Sequence, residues 1–132
     1  MQSKNLLRKI YRESLCLLTD LYELTMAYGY WKKGMADKES VFHLFFRRKP
    51  FNGGFAVAAG LETFLEFIDQ FQYSTSDLSY LEKLKSDDGN PLFERTFLDY
   101  LSKLTFQVDI DAVPEGTPIF PYEPLVRVRG PI

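Results

Sequence analysis

The chain has 132 residues, of which 45% are apolar and 16% aromatic, which is enough for one domain with a core rich in Phe and Tyr. Its formal net charge of −2 excludes a general electrostatic attraction to nucleic acid or to an anionic membrane, and we expect neither as a partner. Cys16 is the single cysteine. It excludes an internal disulfide and is typical of a reducing compartment, so we expect a cytoplasmic protein.

The first predicted helix lies in "LTDLYELTMAYGYW", residues 18–31, after a polar and basic lead that we assign to residues 1–16. We predict that it ends at Gly34, since glycine is common just after the last helical turn. Two of its faces are rich in apolar or small side chains, which is more than one core contact requires. The first face carries Leu21, Leu24, Tyr28 and Trp31, and the second carries Tyr22, Thr25, Met26 and Gly29.

The start of this helix carries a capping signal. Asp20 and Glu23 have the spacing of a capping box, with Asp in place of Ser or Thr, and Thr19 is the alternative cap. Tyr22 therefore falls in the first turn, where its ring could stack on a planar anion whose charge the helix dipole favours. On residue type alone, a tyrosine in a core or an interface is the more common outcome.

A strand is predicted from Val41 to Arg48, in "SVFHLFFRRK", because β-branched and aromatic residues dominate it. Both of its faces are largely apolar, so we expect it to be covered on both sides, with its arginine end emerging at a sheet edge. His43 lies mid-strand, where a half-buried, hydrogen-bonded histidine is expected. Arg47 and Arg48 are able to grip a phosphate or a carboxylate, although a solvated strand end is equally consistent with the pattern.

The middle of the chain predicts a turn and three helices. In "KPFNGG", the run Asn52-Gly53-Gly54 permits positive φ, and its amides could either cradle an anion or form a tight turn. "FAVAAGLETFLEFIDQF" begins like a strand and continues as an amphipathic helix. Ser74 or Ser76 is expected to cap a short helix, and Pro91 to occupy the first turn of another.

The last segment, "TFQVDIDAVPEGTPIFPYEPLVRVRG", predicts two strands joined by a turn that contains Pro and Gly. Its alternation allows Asp109 and Asp111 to face Arg127 and Arg129, which would favour an antiparallel pairing modestly. The element order α-β-(β)α-α-α-β-β predicts an α+β domain with helices packed on a mainly antiparallel sheet.

Most sequence motifs that carry a catalytic mechanism are absent, including a Walker A loop, GxGxxG, HExxH and paired cysteines. Cys16 and His43 are the one possible thiol–imidazole pair, but an inert core cysteine is more common. No metal site is indicated. The residue pattern alone therefore predicts an α+β domain that is able to bind an anion.

The same segments resemble a known family. "TDLYELTMAYGYW" resembles the N-terminal signature of nicotinate phosphoribosyltransferases, and "FHLFFRRKPFNGGFAVAAGLE" is similar to that family's next segment. "VPEGTPIFPYEPLVRVRGP" resembles the stretch that closes its N-terminal domain. The three motifs occur in order and without gaps. The resemblance implies the N-terminal domain of a type II phosphoribosyltransferase, which we assign to residues 17–132, followed in family members by an α/β barrel.

The resemblance also implies a reaction. Nicotinate and 5-phosphoribosyl 1-pyrophosphate would give nicotinate mononucleotide and pyrophosphate, in NAD salvage. Mg²⁺ and ATP are implied for the full-length enzyme, with ATP acting through a phosphorylated histidine in the barrel, so His43 is not that residue. We expect this chain alone to bind neither cofactor and to contain no catalytic residue.

Three positions of the resemblance imply roles for residues of this chain. Tyr22 would stack on the nicotinate ring in the partner subunit of a head-to-tail homodimer, and Asp20 would cap and orient its helix. Arg48, or Arg47 if the alignment slips by one, would contact phosphoribosyl pyrophosphate. Because the barrel is missing, we expect the fragment to be inactive by itself.

Two other interpretations remain open. The chain could be a non-catalytic dimerisation or ligand-sensing module derived from that family. It could also be a binder of single-stranded nucleic acid that uses Phe and Tyr with Arg47 and Arg48, although the net charge and the absence of a basic stripe argue against this.

Overall fold

The computed structural model describes residues 14–132, so most of the lead assigned to residues 1–16 lies outside the described residues. Within the described range, the four α-helices are α1 (Leu21–Lys32), α2 (Leu61–Asp69), α3 (Thr75–Glu82) and α4 (Arg95–Leu101). Five strands comprise β1 (Glu39–Leu44), β2 (Ala56–Val57), β3 (Asp109–Ala112), β4 (Pro118–Ile119) and β5 (Val126–Pro131). Every strand pair is antiparallel, and the predicted α+β class is confirmed.

The chain divides into two compact units. One, here called the helical unit, takes in the chain up to Ala36 together with Glu66–Phe106. The other, the sheet unit, takes in Asp37–Leu65 and Gln107–Ile132. The division falls within α2, and all five strands belong to the sheet unit.

The core of the helical unit is built where α1, α3 and α4 present apolar side chains at helical spacing. Its buried members are Leu24, Leu81, Phe93, Phe97, Leu98 and Leu101. Tyr28 and Trp31 of α1 pack against this core, with ring centroids 5.1 Å and 5.5 Å from that of Phe97. The first predicted face of α1 is therefore confirmed at Leu24, Tyr28 and Trp31. It is wrong at Leu21, which is 50% exposed because it lies one turn before the first buried position.

The ends of α1 show one wrong prediction and one confirmed. Asp20 occupies the N-cap position, but its side chain makes no capping hydrogen bond, so the predicted capping box is wrong. Glu23 instead accepts a hydrogen bond from the Thr19 hydroxyl. At the other end, Gly34 has φ +65° and donates to Trp31 O, while Met35 N donates to Tyr30 O. These two bonds form a Schellman motif, in which glycine adopts the left-handed conformation at low cost.

The capping box occurs at α3 instead. Ser74 Oγ accepts from Asp77 N at 3.1 Å, and an Asp77 carboxylate oxygen accepts from Ser74 N at 2.7 Å, so the choice of Ser74 as cap is confirmed. The prediction for Pro91 is wrong, because Pro91 pairs with Lys85 in an isolated β-bridge and α4 begins only at Arg95. The fixed φ of proline suits extended backbone as well as a first helical turn, and the sequence does not distinguish the two.

In the sheet unit, the three-stranded sheet has the order β1-β5-β3, and β2 pairs with β4 in a second sheet. The predicted facing of acidic and basic side chains is confirmed, with Asp109 opposite Arg129 and Asp111 opposite Arg127. Nitrogen–oxygen distances of 2.9 Å and 2.7 Å join these pairs. The sequence interpretation missed β4, whose two residues are too few to show an alternation.

The prediction for β1 is wrong in its length and its cover. The strand ends at Leu44 rather than at Arg48, and most of its side chains are exposed, including Phe42 and Leu44. β1 pairs with β5 on one side only. Apolar residues along a strand do not by themselves show that another layer covers each face, and here Val41, Phe42 and Leu44 are exposed. His43 is likewise exposed, beside Arg127 on β5, and is not the half-buried histidine that we expected.

Candidate functional site

Tyr22 lies in the first turn of α1 and is 59% exposed. The helix that carries it is fixed by the opposite face, where Leu24, Tyr28 and Trp31 pack into the core of the helical unit. Met26, one turn further along, is exposed as well. The second predicted face of α1 is therefore a rigidly held surface that leaves the Tyr22 ring free to contact a ligand or another polypeptide.

Asp20 is exposed and precedes this turn with an extended backbone. Because its carboxylate does not cap the helix, the backbone N–H groups at the start of α1 lack a bond from that side chain. The partial positive charge of a helix N-terminus therefore lies next to Tyr22. The expected role of Asp20, to cap and orient the helix, has no hydrogen bond to support it.

Arg47 and Arg48 lie in a bend directly after β1, and both are exposed. Neither takes part in the ion pairs that join side chains within residues 14–132. The sequence from residue 41 to residue 61 contains no Asp or Glu, so this stretch of sequence carries a net positive charge. Unpaired guanidinium groups in such a setting suit a phosphate or pyrophosphate group.

The turn that follows has positive φ at Asn52, which was predicted, and at Phe51, which was not. Phe51 and Asn52 both have φ +54°, whereas Gly53 has φ −68°. Gly53 N donates to Pro50 O at 3.0 Å, so this amide is already bonded and is not free to bind an anion. The anion cradle predicted for Asn52-Gly53-Gly54 is therefore wrong at Gly53. The sequence interpretation also missed Phe51, which is fully exposed.

The predicted site residues fall in different units. Asp20 and Tyr22 belong to the helical unit, while Arg47 and Arg48 belong to the sheet unit. The sequence interpretation missed Tyr122, a second exposed aromatic residue in the left-handed region, with φ +67°. The signal was Pro121, which favours the second position of a tight turn and so places the next residue at the position where φ is positive.

The described residues do not fit the implied metal ion. Within residues 14–132, no three His, Cys, Asp or Glu side chains come together in a way that could hold one. His43 is exposed on β1, and the carboxylates of Asp109 and Asp111 are paired with arginines. Over the same range, the helices are all too short or too polar to cross a lipid bilayer.

Comparison with known proteins shows the family of this chain. Residues 17–132 match the family described as nicotinate phosphoribosyltransferase (NAPRTase) N-terminal domain. The chain is 43% identical over 117 residues to a nicotinate phosphoribosyltransferase of Caenorhabditis elegans, covering 88% of this chain and 20% of that protein. The human nicotinate phosphoribosyltransferase is also 43% identical, with 88% of this chain and 21% of that protein covered.

A solved structure supports the same assignment. The crystal structure of human nicotinic acid phosphoribosyltransferase superposes with a TM-score of 0.74 and 42% identity, covering 87% of this chain and 22% of that one. The chain, with its exposed Tyr22, Arg47 and Arg48, thus corresponds to the N-terminal α+β domain of a class of longer proteins. The chain belongs to the nicotinate phosphoribosyltransferase N-terminal domain family. It spans about a fifth of the length of the curated relatives that it matches.

Proposed function

We propose that this chain is the N-terminal part of an enzyme that joins nicotinate to 5-phosphoribosyl 1-pyrophosphate, giving nicotinate mononucleotide and pyrophosphate for NAD salvage. Membership of the family supports this proposal. The observation that carries it is the exposed Tyr22 ring on a helix whose opposite face is fixed in the core. An exposed aromatic ring on a helix that is anchored by its opposite face is suited to stack on the flat pyridine ring of nicotinate.

The role of the chain in this reaction is to position the reactants. Stacking on Tyr22 would hold the pyridine ring, and the N-terminus of α1 would favour the negative charge of its carboxylate. Arg47 and Arg48 would hold the phosphate groups of phosphoribosyl pyrophosphate and offset their charge as pyrophosphate leaves. Holding two reactants in a productive geometry removes much of the entropic barrier to their reaction. Any Mg²⁺ or ATP required would be held outside residues 14–132, so no step involving them is assigned to these residues.

The proposal includes a second subunit. Tyr22 would reach the active site of a partner in a homodimer, since its ring is exposed rather than turned into its own unit. Because the chain spans about a fifth of its relatives, it would contribute walls of the site and no catalytic residue. We therefore expect the isolated chain to be inactive. Nicotinate mononucleotide formed by the purified 132-residue chain from the two substrates would contradict this.

The first test replaces Tyr22 with Ala in the intact native protein. Base–aromatic stacking is worth about 1–3 kcal/mol, so the KM for nicotinate should rise about 5- to 150-fold while the protein stays folded. Tyr80→Ala is the matched control, because Tyr80 is a helical tyrosine of similar exposure in the same unit. An unchanged KM in the Tyr22 variant would remove this residue from the nicotinate site.

A second test separates the two arginines. Arg48→Ala should raise the KM for phosphoribosyl pyrophosphate and leave the KM for nicotinate nearly unchanged. If Arg47→Ala has this effect and Arg48→Ala does not, the register of the contact is shifted by one residue. If neither variant changes it, the arginine pair has no part in binding this substrate.

A further inference from the structure

The segment Phe120–Glu123 forms a tight turn in the sheet unit. Glu123 N donates to Phe120 O at 3.4 Å, and a Glu123 carboxylate oxygen accepts from Phe120 N at 3.1 Å. Pro121 occupies the second position of the turn, and Tyr122, with φ +67°, occupies the third. This is the pattern of a type II turn, whose third position favours glycine or asparagine.

This turn is bonded to the end of β1. Tyr122 N donates to Phe46 O at 2.9 Å, and Leu125 N donates to Leu44 O at 2.8 Å. The Tyr122 ring also contacts that of Phe45, with the centroids 6.0 Å apart and the planes tilted by 36°. The three contacts hold the residues immediately before Arg47, at the point where the strand ends and the bend begins.

Tyrosine is a costly choice for this position. A non-glycine residue in the left-handed conformation loses about 1–2 kcal/mol relative to glycine, and Tyr122 is also 70% exposed, so it gains little from burial. Glycine would keep the backbone bond to Phe46 and remove the strain. What tyrosine adds is the ring contact with Phe45.

We propose that Tyr122 is a positioning residue for Arg47 and Arg48, in that its ring, packed on Phe45, fixes the path on which the arginine pair leaves β1. The functional consequence rests on the proposed function: a more mobile bend would hold phosphoribosyl pyrophosphate less well. Tyr122 acts through the arginines and does not itself contact the substrate in this proposal.

The test compares Tyr122→Gly with Tyr122→Phe in the intact native protein. The glycine variant suits φ +67°, so it should remain folded with an unchanged or higher melting temperature. Phe120→Ala is the matched control, because Phe120 is a half-exposed aromatic residue of the same turn. Two quantities are measured: the hydrogen exchange rate of the Leu125 amide, which donates to Leu44 O at the end of β1, and the KM values for both substrates.

For Tyr122→Gly we expect at least about fivefold faster exchange at the Leu125 amide. We also expect about a tenfold rise in the KM for phosphoribosyl pyrophosphate with little change in that for nicotinate. Tyr122→Phe and Phe120→Ala should each keep the wild-type exchange rate and the wild-type KM for phosphoribosyl pyrophosphate. Unchanged exchange in Tyr122→Gly overturns the inference, and so does faster exchange with an unchanged KM.

The proposed function fails separately, if the wild-type intact protein shows no turnover. Binding of inorganic pyrophosphate, measured by calorimetry, then replaces the KM. Weaker pyrophosphate binding together with faster exchange in Tyr122→Gly supports the inference, and equal binding overturns it.

Discussion

The contacts within the helical unit differ in kind from the contacts within the sheet unit. Within the described residues, seven apolar side chains of the helical unit are buried, among them Phe97 and Leu81, whereas Ile119 is the only buried one of the sheet unit. The sheet unit also contains an apolar cavity of about 250 Å³ and many exposed aromatic residues. Its strands are joined mainly by backbone ladders and by the Asp–Arg pairs.

This contrast indicates which unit has enough internal contacts to be stable by itself. Burial of apolar area is the largest stabilising contribution to a fold, and the helical unit has a continuous core to provide it. Exposed apolar patches in the sheet unit are typical of a surface that another polypeptide covers. We therefore expect core substitutions to destabilise the helical unit strongly, while the sheet unit responds more to backbone geometry than to loss of side-chain volume.

The largest effect is expected at Phe97, whose side chain is fully buried among Leu24, Tyr28 and Trp31. Phe97→Ala should lower the free energy of unfolding by about 3–5 kcal/mol, because it removes apolar contacts and leaves a cavity. Urea unfolding followed by circular dichroism measures this. Phe55→Ala in the sheet unit is the comparison, because Phe55 is exposed, and its loss should cost less than about 0.5 kcal/mol. Similar losses would contradict the contrast between the units.

A smaller effect is expected at Gly130 of β5, where backbone approach is close. A Cβ at this position would lie 2.7 Å from Val108 Cγ1 and 3.0 Å from both Gln107 O and Val108 Cα. Two of these three atoms are backbone, so Gly130→Ala should destabilise the sheet unit by about 1–3 kcal/mol. Gly54→Ala is the matched control, since a Cβ there meets nothing within 4 Å. Equal thermal stability of the two variants would show that β5 can shift without cost.

Tyr73 gives an effect confined to alkaline solution. Burial raises the pKa of Tyr73 to about 12, with contributions from Cys16 and Asp77. The folded state therefore keeps this proton when the unfolded chain, with a tyrosine pKa near 10, has lost it. The resulting stability is complete below pH 10 and is lost as the pH rises through 12. The melting temperature should fall over this window in the wild type and fall less in Tyr73→Phe. Parallel curves would show that another group titrates.

The smallest effect is expected for the exposed ion pairs of the sheet unit. Arg127 and Asp111 keep more than half of their side-chain area in solvent, so their coupling should be about 0.2–1 kcal/mol. A double-mutant cycle with Arg127→Ala and Asp111→Ala measures it, and 1 M salt should weaken it. A coupling of several kcal/mol would mean that the Asp–Arg pairs, rather than the backbone hydrogen bonds, are the main stabilising interaction of this sheet.

The sequence predicted the helical unit better than the sheet unit, for a physical reason. The 3.6-residue spacing of Leu24, Tyr28 and Trp31 reports directly on burial, and these residues are packed in the core as expected. In β1, aromatic residues on both faces suggested cover on both sides, yet most of its side chains are exposed. Which elements cover a sheet face is not contained in the alternation of one strand. Strand order depends on contacts distant in sequence, which local alternation does not contain.

The candidate site shows a similar division. The exposed face of α1 around Tyr22 followed from having one apolar face more than the core needs. The hydrogen bond from Tyr122 N to Phe46 O could not be predicted, because it joins residues 76 positions apart. It also depends on a turn whose left-handed residue is not glycine. Likewise, Asp20 and Glu23 matched a capping pattern, but Thr19 competes for Glu23 and the sequence does not tell which bond forms.

Because only one face of α1 packs into the core, the helix carries residues constrained by folding on that face and residues free to serve binding on the other. Folding constrains Leu24, Tyr28 and Trp31, since the core of the helical unit depends on them. Tyr22 contributes almost nothing to that core, so substitutions there can be tried without a penalty in stability. A library at this position would therefore separate effects on ligand binding from effects on folding, which makes it a suitable test of the proposed contact between Tyr22 and nicotinate.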